Sequence, residues 1–420
     1  MTNQSTGATT WGPRPLPTVA IAIAAATAAV FPVFLTGALT VQLRHALHLS
    51  TADIGLGVTA FFGSSALCSV SSGRAAERAG SWAIMELATV IALASMAGIG
   101  LLVHHLWSLL VLLVVGGAGN GMMQPATNLL LSEVVHSSRQ GLAFGIKQAG
   151  IPAATLLSGL AVPALALTAG WQAAYLAGAG YVAGVLVILH QHRRQDTVRS
   201  APGSAGQPAR RQRRAAPAPI DLRPLILLAA GMAAAVAASN AMGSFVVPST
   251  VDHGVAPGSA GLLAALGSAV GFSVRTGAGW RADFGGRIGV RAAEHHLAVL
   301  VVMIAIGAGG YLALASGRPF LLVPGVVLGF GAGWGYNGLF NLAVVRAYAH
   351  APGRATGITQ VGTYIGGMTG PLCFGVLVDH VGYQAGWLLC TALAVVAVAT
   401  FVVSRCSLRR HLTDTSPGAP

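Results

Sequence analysis

A chain of 420 residues that is 54% hydrophobic and only 8% charged, with a mean hydropathy of +0.69, lacks the ions of a water-soluble globule, in which about a quarter of residues are charged. The formal charge of +13 would suit a nucleic-acid binder, but the basic residues are gathered in loops and a linker rather than along a groove, so they read as topology and lipid contact. Four cysteines, Cys68, Cys373, Cys390 and Cys406, have no paired spacing and exclude a disulfide framework or a zinc ribbon.

Apolar runs long enough to cross about 30 Å of hydrocarbon as helices recur about twelve times. In chain order the predicted crossings are 18–43, 53–72, 83–103, 106–133, 142–166 and 171–190, then 222–249, 257–276, 292–315, 319–345, 355–378 and 382–404. Lipid offers the backbone no hydrogen bonds, so these runs must be helices. The first run is too long, and too poorly followed by small residues, for a removed signal peptide. Pro32, Pro125, Pro152 and Pro248 are candidate kinks.

Between the sixth and seventh crossings, 191–221 holds seven arginines among Pro, Ala, Gly and Gln, the composition of a solvated tether. The expected domains are a six-helix bundle at 1–190, the linker at 191–221, a second bundle at 222–404 and a tail at 405–420. An even number of crossings puts both termini on one side. Of the 24 Lys and Arg, only Arg44 and Arg318 then fall in loops on the other, the bias that marks the basic side as cytoplasmic. The expected setting is a bacterial plasma (inner) membrane.

The two sides of the linker repeat one another. Gly73-Arg74-Ala75-Ala76-Glu77-Arg78-Ala79-Gly80 follows the second crossing, and Gly279-Trp280-Arg281-Ala282-Asp283-Phe284-Gly285-Gly286 follows the eighth. Gly145-Ile146-Lys147-Gln148-Ala149-Gly150 matches Gly357-Ile358-Thr359-Gln360-Val361-Gly362, and Gly170-Trp171-Gln172-Ala173 matches Gly382-Tyr383-Gln384-Ala385. Ordered matches at nearly constant offset mark an internal duplication. The first segment resembles the signature G-x-x-x-D-R-x-G-R of the major facilitator superfamily, with Glu77 in the acid position and Ser81-Trp82 in place of the trailing basic pair.

That resemblance implies an all-α membrane protein, twelve helices in two six-helix pseudo-symmetric bundles that rock about a central site. It makes Gly73, Glu77, Arg78, Gly279 and Asp283 gate residues, the acids clamping the opposing bundle when one side closes; simple helix capping is the alternative. It also implies a cavity lined by crossings one, four, seven and ten, and those runs carry polar stripes at helical spacing. Thr36 and Thr40 lie on the first, Asn120, Gln124 and Asn128 on the fourth, Asn240 and Ser244 on the seventh, and Trp334, Asn337 and Asn341 on the tenth. Such amides face a watery cavity or act as glue between helices. Gly362, Gly366 and Gly370 form a small-residue face on the eleventh crossing, suited to sliding between the halves.

Lys147 is the only lysine, set two turns into the fifth crossing beside Gln148, and its counterpart in the repeat is the neutral Thr359 beside Gln360. With Arg275 on the adjoining eighth crossing it makes an anion-favouring pair, unless it is spent on Glu133. The expectation is a secondary transporter, not an enzyme, of a small organic anion of carboxylate type. Lys147, Gln148, Arg275, Asn120, Gln124, Asn240, Asn337, Trp334 and Gln360 are the candidate contacts. The alternatives are an efflux permease for a hydrophobic compound, whose cavity would include Phe34 and Trp334, and, remotely, a polytopic enzyme or sensor. No acid falls in the middle of a crossing, and Gly117 stands where many drug–proton antiporters of this family carry an arginine. A coupling proton would therefore travel with an acidic solute. The histidine pairs 104–105 and 295–296 fall on opposite membrane faces, and there is no Gly-rich phosphate loop, so no metal or cofactor is expected. Partners are the solute and membrane lipid, not nucleic acid, and the chain is expected to be a monomer.

Overall fold

The computed structural model describes residues 15–135, 139–199, 222–284, 290–348 and 352–414, and among them all regular structure is helical. The first half runs through α1 (Pro15–Ala38), α2 (Thr40–Leu47), α3 (Thr51–Ala79), α4 (Ser81–Leu102), α5 (Leu106–Val134), α6 (Gln140–Gln148), α7 (Gly150–Ala161), a π-helical segment Val162–Ala166, α8 (Leu167–Ala169) and α9 (Trp171–Arg199). The second half comprises α10 (Leu222–Asp252), α11 (Pro257–Phe284), α12 (Val290–Ala315), α13 (Pro319–Gly331), α14 (Asn337–Ala347), α15 (Pro352–Val381) and α16 (Tyr383–Asp414). Eleven stretches are long and apolar enough to span a membrane. The tenth predicted crossing is split, because the chain leaves the helix between Gly331 and Asn337.

Each half is a bundle, and α1 and α10 are its most enclosed crossings. Buried residues make up 83% of the α1 window and 67% of the α10 window, against 33% for α16 on the outside. The halves meet along three seams: α1 with α10, α3 with α15, and α6 and α7 with α11. One end of the molecule carries the ends of α9 and α10 that flank the linker and is called the linker side; the other is the far side. Arg193 and Arg194 lie on α9 rather than in the tether, and Arg193 pairs with Glu86 at 2.7 Å. Residues 200–221, most of the expected linker, lie outside the described residues.

The glycine stripe on α15 is used differently from expectation. Gly362, Gly366 and Gly370 lie against the carbonyls of Ala229, Ala233 and Ala237 on α10, where an added Cβ would come within 2.0–2.2 Å of each oxygen. Both helices belong to the second half, so the stripe welds that bundle internally instead of providing a sliding face between halves.

Candidate functional site

The polar stripe of α5 is a continuous hydrogen-bonded ladder. Gly121 lets α3 approach so closely that a Cβ there would lie 2.3 Å from the Ser65 carbonyl, and this brings Ser65 to α5. Its Oγ donates to the Gly117 carbonyl (2.8 Å) and accepts from Asn120 Nδ2 (3.0 Å). Asn120 Oδ1 accepts from Gln124 Nε2 at 3.4 Å. Gln124 Oε1 then accepts from Lys147 Nζ on α6, which also donates to Asn128 Oδ1 at 3.0 Å. Spacing of four residues sets the three α5 amides one above another, and the ammonium closes the ladder.

Burial changes along it. Asn120 is 2% exposed and Lys147 3%, Gln124 is half-buried, and Asn128, two turns from Asn120 on the same face, is exposed. The ladder is therefore open at its linker-side end, and this opening in front of Asn128 is called the crevice below.

The Lys147–Glu133 pair weighed above is not formed. Glu133 is exposed, and Glu86 is taken by His190 (2.8 Å) and Arg193. The ammonium rests on two neutral amide oxygens. A buried cation normally finds a carboxylate; among the described residues this one has none.

Arg275 has a different task from the one expected. Pro152 has no N–H, so the helical partner of the Gln148 carbonyl, four residues earlier, is missing, and the helix breaks between α6 and α7. The non-helical Ala332–Tyr336 stretch likewise leaves the Trp334 carbonyl without a helical donor. Arg275, 1% exposed, fills both vacancies: Nη1 donates to Gln148 O (2.6 Å), and Nε and Nη2 donate to Trp334 O (3.1 and 2.8 Å). Its guanidinium also lies over the Trp334 ring, 5.4 Å from the centroid. The arginine thus ties a broken helix of the first half to a broken helix of the second, one residue from Lys147. Pro152 was the local signal; the donor lies 127 residues from Gln148, and sequence reading had set it beside Lys147 as an anion contact instead.

The other expected contacts are dispersed. Trp334 packs edge-on to Phe34, ring centroids 5.4 Å apart. Both are buried, so in this state neither ring lines an open cavity. Asn337 is buried at the start of α14. Asn240 is buried against Gly367 and Phe62, on the seam with α15 and α3. Gln360 is half-buried on α15 beside Tyr364, and neither it nor Asn240 joins the ladder. On α1, Thr36 is spent on the Pro32 carbonyl (2.8 Å) and the Tyr175 hydroxyl (2.7 Å), and Thr40 on the Gly37 carbonyl, so that stripe is glue. The structure unites Asn120, Gln124 and Lys147, with Gln148 adjoining through its carbonyl, and adds Asn128 and Ser65.

At the linker end, Glu77 and Arg78 are exposed, and among the described residues neither makes a side-chain hydrogen bond or ion pair. A Cβ added at Gly73 would only just reach Pro125, at 4.0 Å, whereas Gly279 packs on Gly145, whose added Cβ would be 3.2 Å from the Gly279 Cα. The Asp283 side chain lies outside the described residues. At the far end, Asp379 of α15 accepts from the Thr51 N–H (3.0 Å) and the Ala52 N–H (2.7 Å) at the start of α3.

Comparison with known proteins agrees with this architecture. A family model described as Major Facilitator Superfamily matches residues 18–293. Among solved structures, a bacterial homologue of the human lysosomal transporter Spinster, in an inward-facing and occupied conformation, superposes with a TM-score of 0.70 at 15% identity, covering 94% of this chain and 97% of that one. A D-xylose–proton symporter gives 0.66 at 12% identity, covering 91% and 96%. At such identities the likeness concerns the fold. No curated protein sequence matches at a significant level.

Proposed function

Since the chain belongs to the Major Facilitator Superfamily, a multi-pass family of membrane transporters, we propose that it is a secondary carrier of a small organic anion, held at Lys147. One observation carries this reading: among the described residues the buried ammonium donates only to the neutral oxygens of Gln124 and Asn128 and has no carboxylate partner. Three donors sit on an ammonium. Two are used on the ladder, and the third is available to a carboxylate arriving through the crevice in front of Asn128. Asn120 and Ser65 fix the ladder from behind and so orient the amides that receive the solute. A low-dielectric setting strengthens the attraction, because little water screens it.

The basic excess on the linker side supports placing that side in the cytoplasm, so the state described here is the inward-facing one. Rocking of the halves would then expose the ladder outward. One chain encloses the whole crevice, so a monomer suffices.

The test is uptake into proteoliposomes of radiolabelled acetate, pyruvate, succinate and benzoate. Lys147→Gln keeps a polar side chain and removes the charge. A charge-assisted hydrogen bond contributes about 1.5–3 kcal/mol, so affinity for the transported anion is expected to fall roughly 10- to 100-fold. Uptake of the panel that is equal in wild type, Lys147→Gln and Lys147→Arg removes the anion site.

A further inference from the structure

Building on the anion reading of the Lys147 site, we propose that Lys147 is also the proton carrier of the transport cycle. It holds the solute as an ammonium and recrosses, when the carrier is empty, as a neutral amine.

Lys147 is alone in its surroundings. Elements packed against α6 are α11, α1, α14, α5 and α7. α1 and α7 contain no charged residue. α5 presents only Glu133, exposed beyond the ladder. α11 presents Arg275, whose guanidinium is bound to two carbonyls, the exposed Arg281, and Asp283, whose side chain lies outside the described residues. α14 presents Arg346, which is engaged with His296 at 2.6 Å. Among the described residues no carboxylate neutralises Lys147 when the anion leaves, and an uncompensated ammonium occluded between two closed gates is costly.

Proton loss resolves this without rearranging the ladder. A neutral amine keeps two N–H groups, enough for Gln124 Oε1 and Asn128 Oδ1, and its lone pair takes the place of the third hydrogen, towards the crevice. The same two acceptors therefore hold both protonation states, and the proton exchanged is the one that would face the solute. The balance is simple. On one side the amine takes up H⁺ and the ammonium binds the anion; on the other the anion leaves and the ammonium releases H⁺ to water. One proton and one negative charge cross together, so net transport of a monoanion is electroneutral. Anion-for-anion exchange needs no proton release. The repeat carries Thr359 at the equivalent position, so the second half has no matching carrier.

Because Lys147 is the only lysine, protein labelled with ¹⁵Nζ-lysine gives one side-chain nitrogen resonance. In lipid nanodiscs without solute, that resonance is expected to pass reversibly from ammonium to amine within the pH range that supports transport, as a proton carrier requires. An ammonium signal throughout overturns the proposal. At a fixed pH on the amine side, saturating acetate, pyruvate, succinate or benzoate is expected to restore the ammonium signal. A titration that none of the four reverses overturns the anion reading instead. In proteoliposomes, Lys147→Arg, permanently charged, is expected to lower net uptake of the transported anion at least about 10-fold more than it lowers counter-exchange. Equal loss or equal retention of both modes overturns the carrier role and leaves the anion site standing.

Discussion

The two ends of the seam between α3 and α15 are built from similar parts in opposite conditions. At the far end, Asp379 of one half caps the first turn of α3 in the other, taking the Thr51 and Ala52 N–H groups, while Ser50 and Asp53 form a capping box on the same turn. The orphan donors of that helix start are shared between a local cap and a carboxylate from across the interface. At the linker end, Glu77 stands near the end of α3 with no partner among the described residues and is exposed. A carboxylate bridges the halves on one side and makes no bond on the other, the pattern expected if Glu77 acts as a gate that closes in turn. Between them, Arg275 ties the halves at the level of the site. Latches that open in turn and a tie that holds should differ in what their removal does.

Arg275 gives the largest expected effect. Arg275→Ala leaves the Gln148 and Trp334 carbonyls buried and without donors, at about 1–3 kcal/mol for each orphan, so a loss of roughly 3 kcal/mol in stability is expected, read as a lowered melting temperature in detergent. Pro152→Ala sharpens the cause. It restores the N–H that a continuous helix would give Gln148 O, so Arg275→Ala made in that background should be milder by about 1 kcal/mol, a coupling that a double-mutant cycle resolves. Strict additivity of the two changes would break the link between the proline and the arginine.

Removal of the far-end latch should act on conformation rather than on stability. Asp379 is exposed, and its two bonds are weakened by solvent, so their combined contribution is set at about 1 kcal/mol. Asp379→Ala is expected to shift the balance of states towards outward-open by roughly 5-fold. The readout is labelling of a cysteine placed at Ser244, which is buried on the α1–α10 seam, in a background lacking the four native cysteines. Labelling from the far side that does not rise in Asp379→Ala would show that backbone packing alone closes that end.

The far-end closure, the crossings and the ladder were not equally legible. The crossings could be read because lipid imposes a length and forbids unpaired backbone, and the Asn120, Gln124 and Asn128 ladder because four-residue spacing is a local property of one helix. Lys147 stood out by breaking the internal repeat. The second task of Pro152 was half legible: the missing N–H is local, but the guanidinium that answers it comes from the other half, and no periodicity encodes that. Asn240 and Gln360 have the same side-chain chemistry as the ladder amides yet face helix seams. Their composition could not separate a seam from a crevice, which depends on how helices rotate against their neighbours.

Glu77 carries the smallest prediction and the most direct one for the comparison. Its sequence position resembles that of a gate residue, and the contacts of a gate depend on which side is closed, so no single state would display them all. With no bond to lose here, Glu77→Ala should change the melting temperature of this state by less than the equivalent of about 0.5 kcal/mol, the ordinary range for a surface substitution. If the acid clamps the opposing half once the linker side closes, its loss weakens only that closed state. The substitution should then lower far-side labelling of the Ser244 cysteine in the Asp379→Ala background, moving the balance back in the direction opposite to that of Asp379→Ala. A change in the same direction for both acids would mean that Glu77 is a helix-end charge and that the linker side closes without it.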